Sequence, residues 1–184
     1  MPRILLLLAF LAIPFAQGIE LPNPPDGYRW KQILDEQSAL LVPIGWHFKS
    51  QHGKNTDGYF VSKEDIEAEG KFDTGLSLNV IKQVKQSTGL APSKYSLAMI
   101  EQMQKSKKVL LADSRDAGAF KAFTVRFLDS QPNVPDVVVH NLFIANDETG
   151  TLWYYIFEAP QSEWESAWQT GDTLLSHLLL ETEI

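Results

Sequence analysis

The side chains able to move a proton or grip a metal are few. There are four histidines, His47, His52, His140 and His177, and no cysteine, which excludes thiolate nucleophiles and cysteine–metal centres. His47 and His52 straddle a polar stretch and supply two of the ligands a zinc ion needs, without a third or fourth nearby. His140 lies in Val137-Val-Val-His-Asn-Leu-Phe143, a setting that reads as a hydrogen-bonded core imidazole. His177 reads as a surface or helix-terminal residue. No Gly-x-Ser-x-Gly elbow occurs, so a Ser–His–acid set would have to assemble in space. Asp65-Ile-Glu-Ala-Glu-Gly70 has the alternating acids and sixth-position glycine of a calcium loop, but the twelfth position, which needs a bidentate glutamate, is Leu76. It reads as a solvated acidic turn. Lys105-Ser-Lys-Lys108 reads as a helix end, and neither glycine-rich phosphate cradle is present. Trp30, Trp46, Trp153, Trp164 and Trp168 could line a ligand groove, but their spacing reads as core. The residues therefore nominate no catalytic, cofactor-binding or metal site, and no cofactor.

The start of the chain carries a different signal. Arg3 precedes an apolar run from Ile4 to Phe15, and small residues at Ala16 and Gly18 take the −3 and −1 places of a cleavage site. The run is well short of the roughly 20 residues that span a bilayer, and Pro14 interrupts a helix there. The expectation is a signal peptide over 1–18, a proline-rich linker over 19–27 and one globular domain over 28–184. Such a protein is exported, to a periplasm or beyond, with no stable membrane span after cleavage. With 16 Lys and Arg against 23 Asp and Glu the net charge is −7, and loss of Arg3 makes it one unit more negative. That charge repels the phosphate backbone, so no nucleic-acid partner is expected, and it disfavours anionic lipid. An exported chain without disulfides must be stabilised by packing alone.

The elements that position these residues follow from periodicity. Tyr28–Ile33 and Ala39–Val42 flank the polar Asp35-Glu-Gln-Ser38 and predict a hairpin. Pro43-Ile-Gly45 predicts a turn, Trp46-His-Phe48 a short extended piece, Gln51–Asp57 a loop, Gly58–Lys63 a strand and Glu64–Asp73 an exposed acidic stretch. In Gly75–Val84, Leu76, Leu78, Val80 and Val84 alternate with polar residues, which predicts a half-buried strand. Residues 92–106 switch to helical spacing, with Tyr95, Ala98, Met99, Gln102 and Met103 on one stripe and lysines at the end. Phe120–Leu128 is a strand with Phe123, Val125 and Phe127 on one face. Asp136–Ala145 and Thr151–Ala159 flank Asn146-Asp-Glu-Thr-Gly150 as a second hairpin. Both are apolar on both faces, so both faces must be covered and the pair belongs mid-sheet. After Pro160, Ser162 and Glu165 fit a capping box. Trp164, Ala167, Trp168, Gly171, Leu174, Leu175 and Leu178 then form an apolar helical stripe. Gly171 weakens that helix by about 1 kcal/mol relative to alanine, or else permits close approach to the sheet.

Leu41-Val-Pro-Ile-Gly-Trp-His-Phe48 resembles the Pro-x-Gly-Trp element of PsbP-like domains. Leu152-Trp-Tyr-Tyr-Ile-Phe-Glu-Ala-Pro160, with Glu163-Trp-Glu-Ser-Ala-Trp168 and Leu174-Leu175, is similar to their last strand and closing helix. The resemblance runs from about Tyr28 to Ile184 and is nearest to the exported bacterial branch of the family. It implies an α+β fold: an α/β/α sandwich with a central, mostly antiparallel sheet and a helix on each face. It carries no functional residue across. The expected role is an exported, non-enzymatic accessory or interaction domain with a protein partner. The alternative is a small-ligand binder or minor hydrolase using a cleft between a helix and the sheet. An aromatic pocket with converging polar groups would favour the alternative; a large exposed apolar patch without a pocket would favour the first reading.

Overall fold

A computed structural model describes residues 21–35 and 37–180; the expected signal peptide lies outside them. Nine strands and four α-helices are formed among those residues. In chain order they are β1 (Tyr28–Ile33), β2 (Ser38–Pro43), β3 (His47–His52), β4 (Thr56–Ser62), α1 (Ile66–Glu69), β5 (Gly75–Ile81), α2 (Val84–Thr88) and α3 (Pro92–Ser106). There follow β6 (Lys108–Ala117), β7 (Phe120–Asp129), β8 (Val137–Asn146), β9 (Thr151–Pro160) and α4 (Trp164–Ser176). β1 and β2 pair as a separate hairpin, and the other seven strands form one sheet in the order β3-β4-β5-β9-β8-β7-β6. Every pairing is antiparallel. The fold is α+β, and the doubly apolar strands β9 and β8 lie in the middle of the sheet as their sequence requires.

Alternation along β9 divides the core. Trp153, Tyr155 and Phe157 join Leu76, Leu78 and Val80 of β5 in one cluster, with Leu40, Leu41 and Val42 of β2 and Trp164, Trp168 and Leu174 packed into it. Leu152, Tyr154 and Ile156 belong instead with Phe143, Val125 and Phe127, and Tyr95, Met99, Ile100 and Met103 of α3 pack there. We call these the Tyr155 side and the Phe143 side of the sheet. Gly171 settles how α4 approaches: a Cβ at that position would stand 2.7 Å from the Phe157 ring, closer than side-chain atoms tolerate. Its missing side chain lets the helix lie on the aromatic floor.

The sequence expectations need six corrections. Gln51–Asp57 is not one loop, because β3 runs to His52 and β4 starts at Thr56. The acidic stretch contains α1, where Asp65 accepts from the Glu67 and Ala68 amides and Gly70 closes the helix at φ 65°. Val84 leaves the strand to open α2, its N–H bonded to Gly150 O at 3.0 Å. On α3, Ser93, Ser96 and Ile100 are buried, while Ala98 and Gln102 are exposed; an apolar template does not register buried serines. Ser162 and Glu165 form no capping box: Gln161–Glu163 is a 3-10 turn, and α4 has no side-chain cap. Finally, β6 carries no apolar alternation to announce it, because this edge strand is exposed along almost its whole length.

One long-range contact explains how α3 begins. Its N-cap, Ala91, offers no side-chain acceptor. Asp147, in the β8–β9 turn, supplies one, accepting from the Ser93 amide at 2.8 Å and the Ser93 hydroxyl at 2.7 Å. Lys121 reaches the same carboxylate at 3.1 Å. The hairpin loop thus caps a helix far away in sequence.

Candidate functional site

The structure disperses the histidines. His47 and His52 stand at opposite ends of β3. His47 Nδ1 is 3.7 Å from Asp65, and His52 is 2.9 Å from Asp57. Burial alone would raise the Asp57 carboxyl, but hydrogen bonds from His52 and Lys82, with their charges, hold it below the usual range. His177, just past α4, bonds the Thr173 carbonyl at 2.9 Å through Nδ1. Among the described residues no group of three or more His, Cys, Asp or Glu side chains is placed to hold a metal ion. None of their helices is long and apolar enough to cross a membrane.

Ser62, His47 and Asp65 do share a cleft, and Ser62 faces His47 in the β3–β4 register. They are not wired for nucleophilic attack. The buried Ser62 hydroxyl donates to Glu64 O at 2.6 Å, and the His47–Asp65 separation of 3.7 Å exceeds a hydrogen bond. Lys105 and Lys107 end α3, with Lys107 ion-paired to Asp129, while Lys108 opens β6. Trp153 is fully buried, while Trp30 and Trp46 are partly buried beside the same core.

His140 leads to the most organised polar site. It is buried in β8, and Arg126 of β7 pairs with it in register. Arg126 Nε donates to His140 Nδ1 at 3.1 Å, which fixes a neutral ring protonated at Nε2. Burial, reinforced by the Arg126 charge, pushes the imidazole down to about 3. The guanidinium lies over Trp168 at 4.0 Å and Trp164 at 4.9 Å. The two indoles are stacked 5.2 Å apart, and Trp168 also touches the His140 ring. Burial lowers the Arg126 pKa, an effect opposed by the Asp172 charge. No carboxylate lies within ion-pair distance of Arg126 among the described residues.

Arg126 opens into a groove of about 570 Å³ between α4 and the β6–β7 edge. A bulge in β6 builds one wall. Val109 opposes Phe127 and Leu111 opposes Arg126, leaving Leu110 as the extra residue. That insertion reverses the alternation, so Val109 packs on the Phe143 side while Leu111, Asp113 and Arg115 line the groove. Leu110 and Leu111 are 48% and 44% exposed. Sequence reasoning missed Arg126, Asp172 and all of β6. A cation set between the apolar Val125 and Phe127 was the available signal for Arg126.

The topology has a solved counterpart. The solution structure of cyanobacterial PsbP (CyanoP) from Synechocystis sp. PCC 6803 aligns with a TM-score of 0.53 at 14% identity, covering 92% of this chain and 98% of that one. The fold is PsbP-like. The protein of unknown function PA94 from Pseudomonas aeruginosa aligns at a TM-score of 0.43 and 10% identity, over 79% of this chain and 94% of its own. The Ran-binding protein Mog1p of Saccharomyces cerevisiae aligns at 0.46 and 14%, over 85% and 86%. No family model matches the chain, and no curated protein matches it in sequence. In this PsbP-like frame, the Pro43-Ile-Gly45 turn joins β2 to β3, and the tryptophan-rich C-terminal segments are β9 and α4.

Proposed function

We propose that this chain is an exported, non-enzymatic interaction domain of the bacterial PsbP-like kind, an α/β/α sandwich with a helix on each face. On this reading it holds a protein partner in the groove between α4 and β6–β7. The carrying observation is Arg126. Its guanidinium face is fixed on two indoles and its Nε by His140, with no carboxylate of the described residues paired to it. A half-buried guanidinium held rigid in this way favours a bidentate carboxylate from outside. Leu111 and Leu175 offer apolar surface beside it, so the fitting segment carries an acidic side chain flanked by apolar residues. The N-terminal pattern from Arg3 to Gly18 supports export.

The immobilised protein, presented with its own extract, tests this reading. A stoichiometric protein retained by the wild type, lost with Arg126→Glu and kept with Lys94→Glu on α3 supports it. Recovery of the domain alone or with only a small molecule, or equal retention by the Arg126 variant, overturns it.

A further inference from the structure

We propose that the hollow on the Phe143 side of β3, β4, β5 and β9 binds a small organic cation, its ammonium on the Glu158 carboxylate and its apolar body against Phe60 and Phe72. The site is separate from the Arg126 groove and does not depend on the reading given for it.

The hollow has a volume of about 420 Å³, with walls that include Phe60, Phe72, Ile66 and Ile156, within the size range of small-ligand clefts. Backbone pairing builds it. Glu158 shares a strand side with Ile156 and faces Gly75 across the β5–β9 ladder. Gly75 has no side chain to fill the space; a Cβ there would be 2.4 Å from Val61 O and 2.8 Å from the Phe72 ring. The glycine therefore seats Phe72 over the residue that pairs with Glu158. The Phe72 and Phe60 rings meet edge to face at 6.4 Å.

Glu158 is the one charged residue between Thr151 and Pro160. It is half-buried, and no cation or hydrogen-bond donor of the described residues meets its carboxylate. Lys49 also reaches the hollow but is ion-paired to Glu67 at 3.4 Å. Burial raises the Glu158 pKa, and the charges of Asp129 and Asp73 raise it further. Such a carboxylate needs a counter-charge that the described residues do not supply. A metal ion would need several more oxygen donors, and beside Glu158 the side chains lining the hollow offer only the Gln51 amide and the Ser77 hydroxyl. An ammonium on an apolar body satisfies both the acid and the walls, with the ring faces adding cation–π attraction.

Calorimetric titration of the purified protein with phenethylammonium, its neutral analogue 2-phenylethanol and the anion phenylacetate tests the site. The expected result is one phenethylammonium per chain, bound at least tenfold tighter than the alcohol, with no phenylacetate bound. Glu158→Gln should erase the preference of cation over alcohol, and Phe72→Ala should weaken both ligands. Equal binding of cation and alcohol by the wild type, no binding of the cation at millimolar concentration, or a preference surviving in a folded Glu158→Gln variant overturns the proposal. The ligand series on the wild type decides the matter if either variant fails to fold.

Discussion

Arg126 and Glu158 each bring a charge against aromatic rings on the central sheet, one on each side, and the fold treats them in opposite ways. Arg126 lies over two indoles and donates to an imidazole. Glu158 meets no donor among the described residues and feels two charges of its own sign. The guanidinium is weakly hydrated and flat, so ring faces can replace much of its water. A carboxylate gains nothing comparable from ring faces, whose electron density repels it. One groove therefore holds a positioned cation and the other an anion that no described residue pairs.

Acid titration should separate the two most strongly. His140 has its folded pKa depressed from 6.5 to about 3. Between those values the unfolded chain binds a proton that the folded chain refuses, so stability falls as pH drops through that window. The slope approaches about 1.4 kcal/mol per pH unit. Glu158 has the opposite sign: its raised pKa lets the folded chain keep a proton longer, so its part of the profile gains stability as pH falls toward its unfolded value. Urea denaturation from pH 7 to 4 should show net loss, and His140→Gln should flatten it. An unchanged profile in that variant would remove His140 as the source.

Packing under the Arg126 platform is the next largest effect. Gly171→Val should cost about 3 kcal/mol, because its side chain has no room above the Phe157 ring. It should also tilt Trp168 from Arg126, read as a changed tryptophan emission. On the Phe143 side, Asp147→Ala should cost about 1 kcal/mol by uncapping α3, with less helical signal and no change at Arg126.

The smallest effects are gains. Tyr155 is fully buried, and its hydroxyl finds no partner among the described residues. Tyr155→Phe should therefore raise stability by about 1 kcal/mol. Glu158→Gln should raise it by about 0.5 kcal/mol at pH 7 by removing the repelled charge. Both are read as upward shifts in melting temperature, and a loss in the second would mean that the carboxylate has a partner.

Local pattern and tertiary contact contributed differently to what could be read. The double apolarity of 136–145 and 151–159 required a central place in the sheet, the stripe from Trp164 to Leu178 required a helix on an apolar surface, and Gly171 left open either a weakened helix or a close approach. Those signals are local, since burial of a strand or helix face is written in side-chain period. Three-dimensional pairing decided the rest. β6 lacks apolar alternation because it is an exposed edge strand, and its bulge becomes visible only against β7. Ser93 belongs to no apolar pattern, and its burial is explained only by Asp147, more than fifty positions away, which caps the helix there. Arg126 and Glu158 are charges set among apolar strand residues, and a charge acquires meaning from what lies across the ladder. The sequence by itself determined which segments had to be buried. Only the tertiary structure decided which polar groups met, because hydrogen bonds and charge pairs depend on distances of a few ångströms between strands that the chain order leaves far apart.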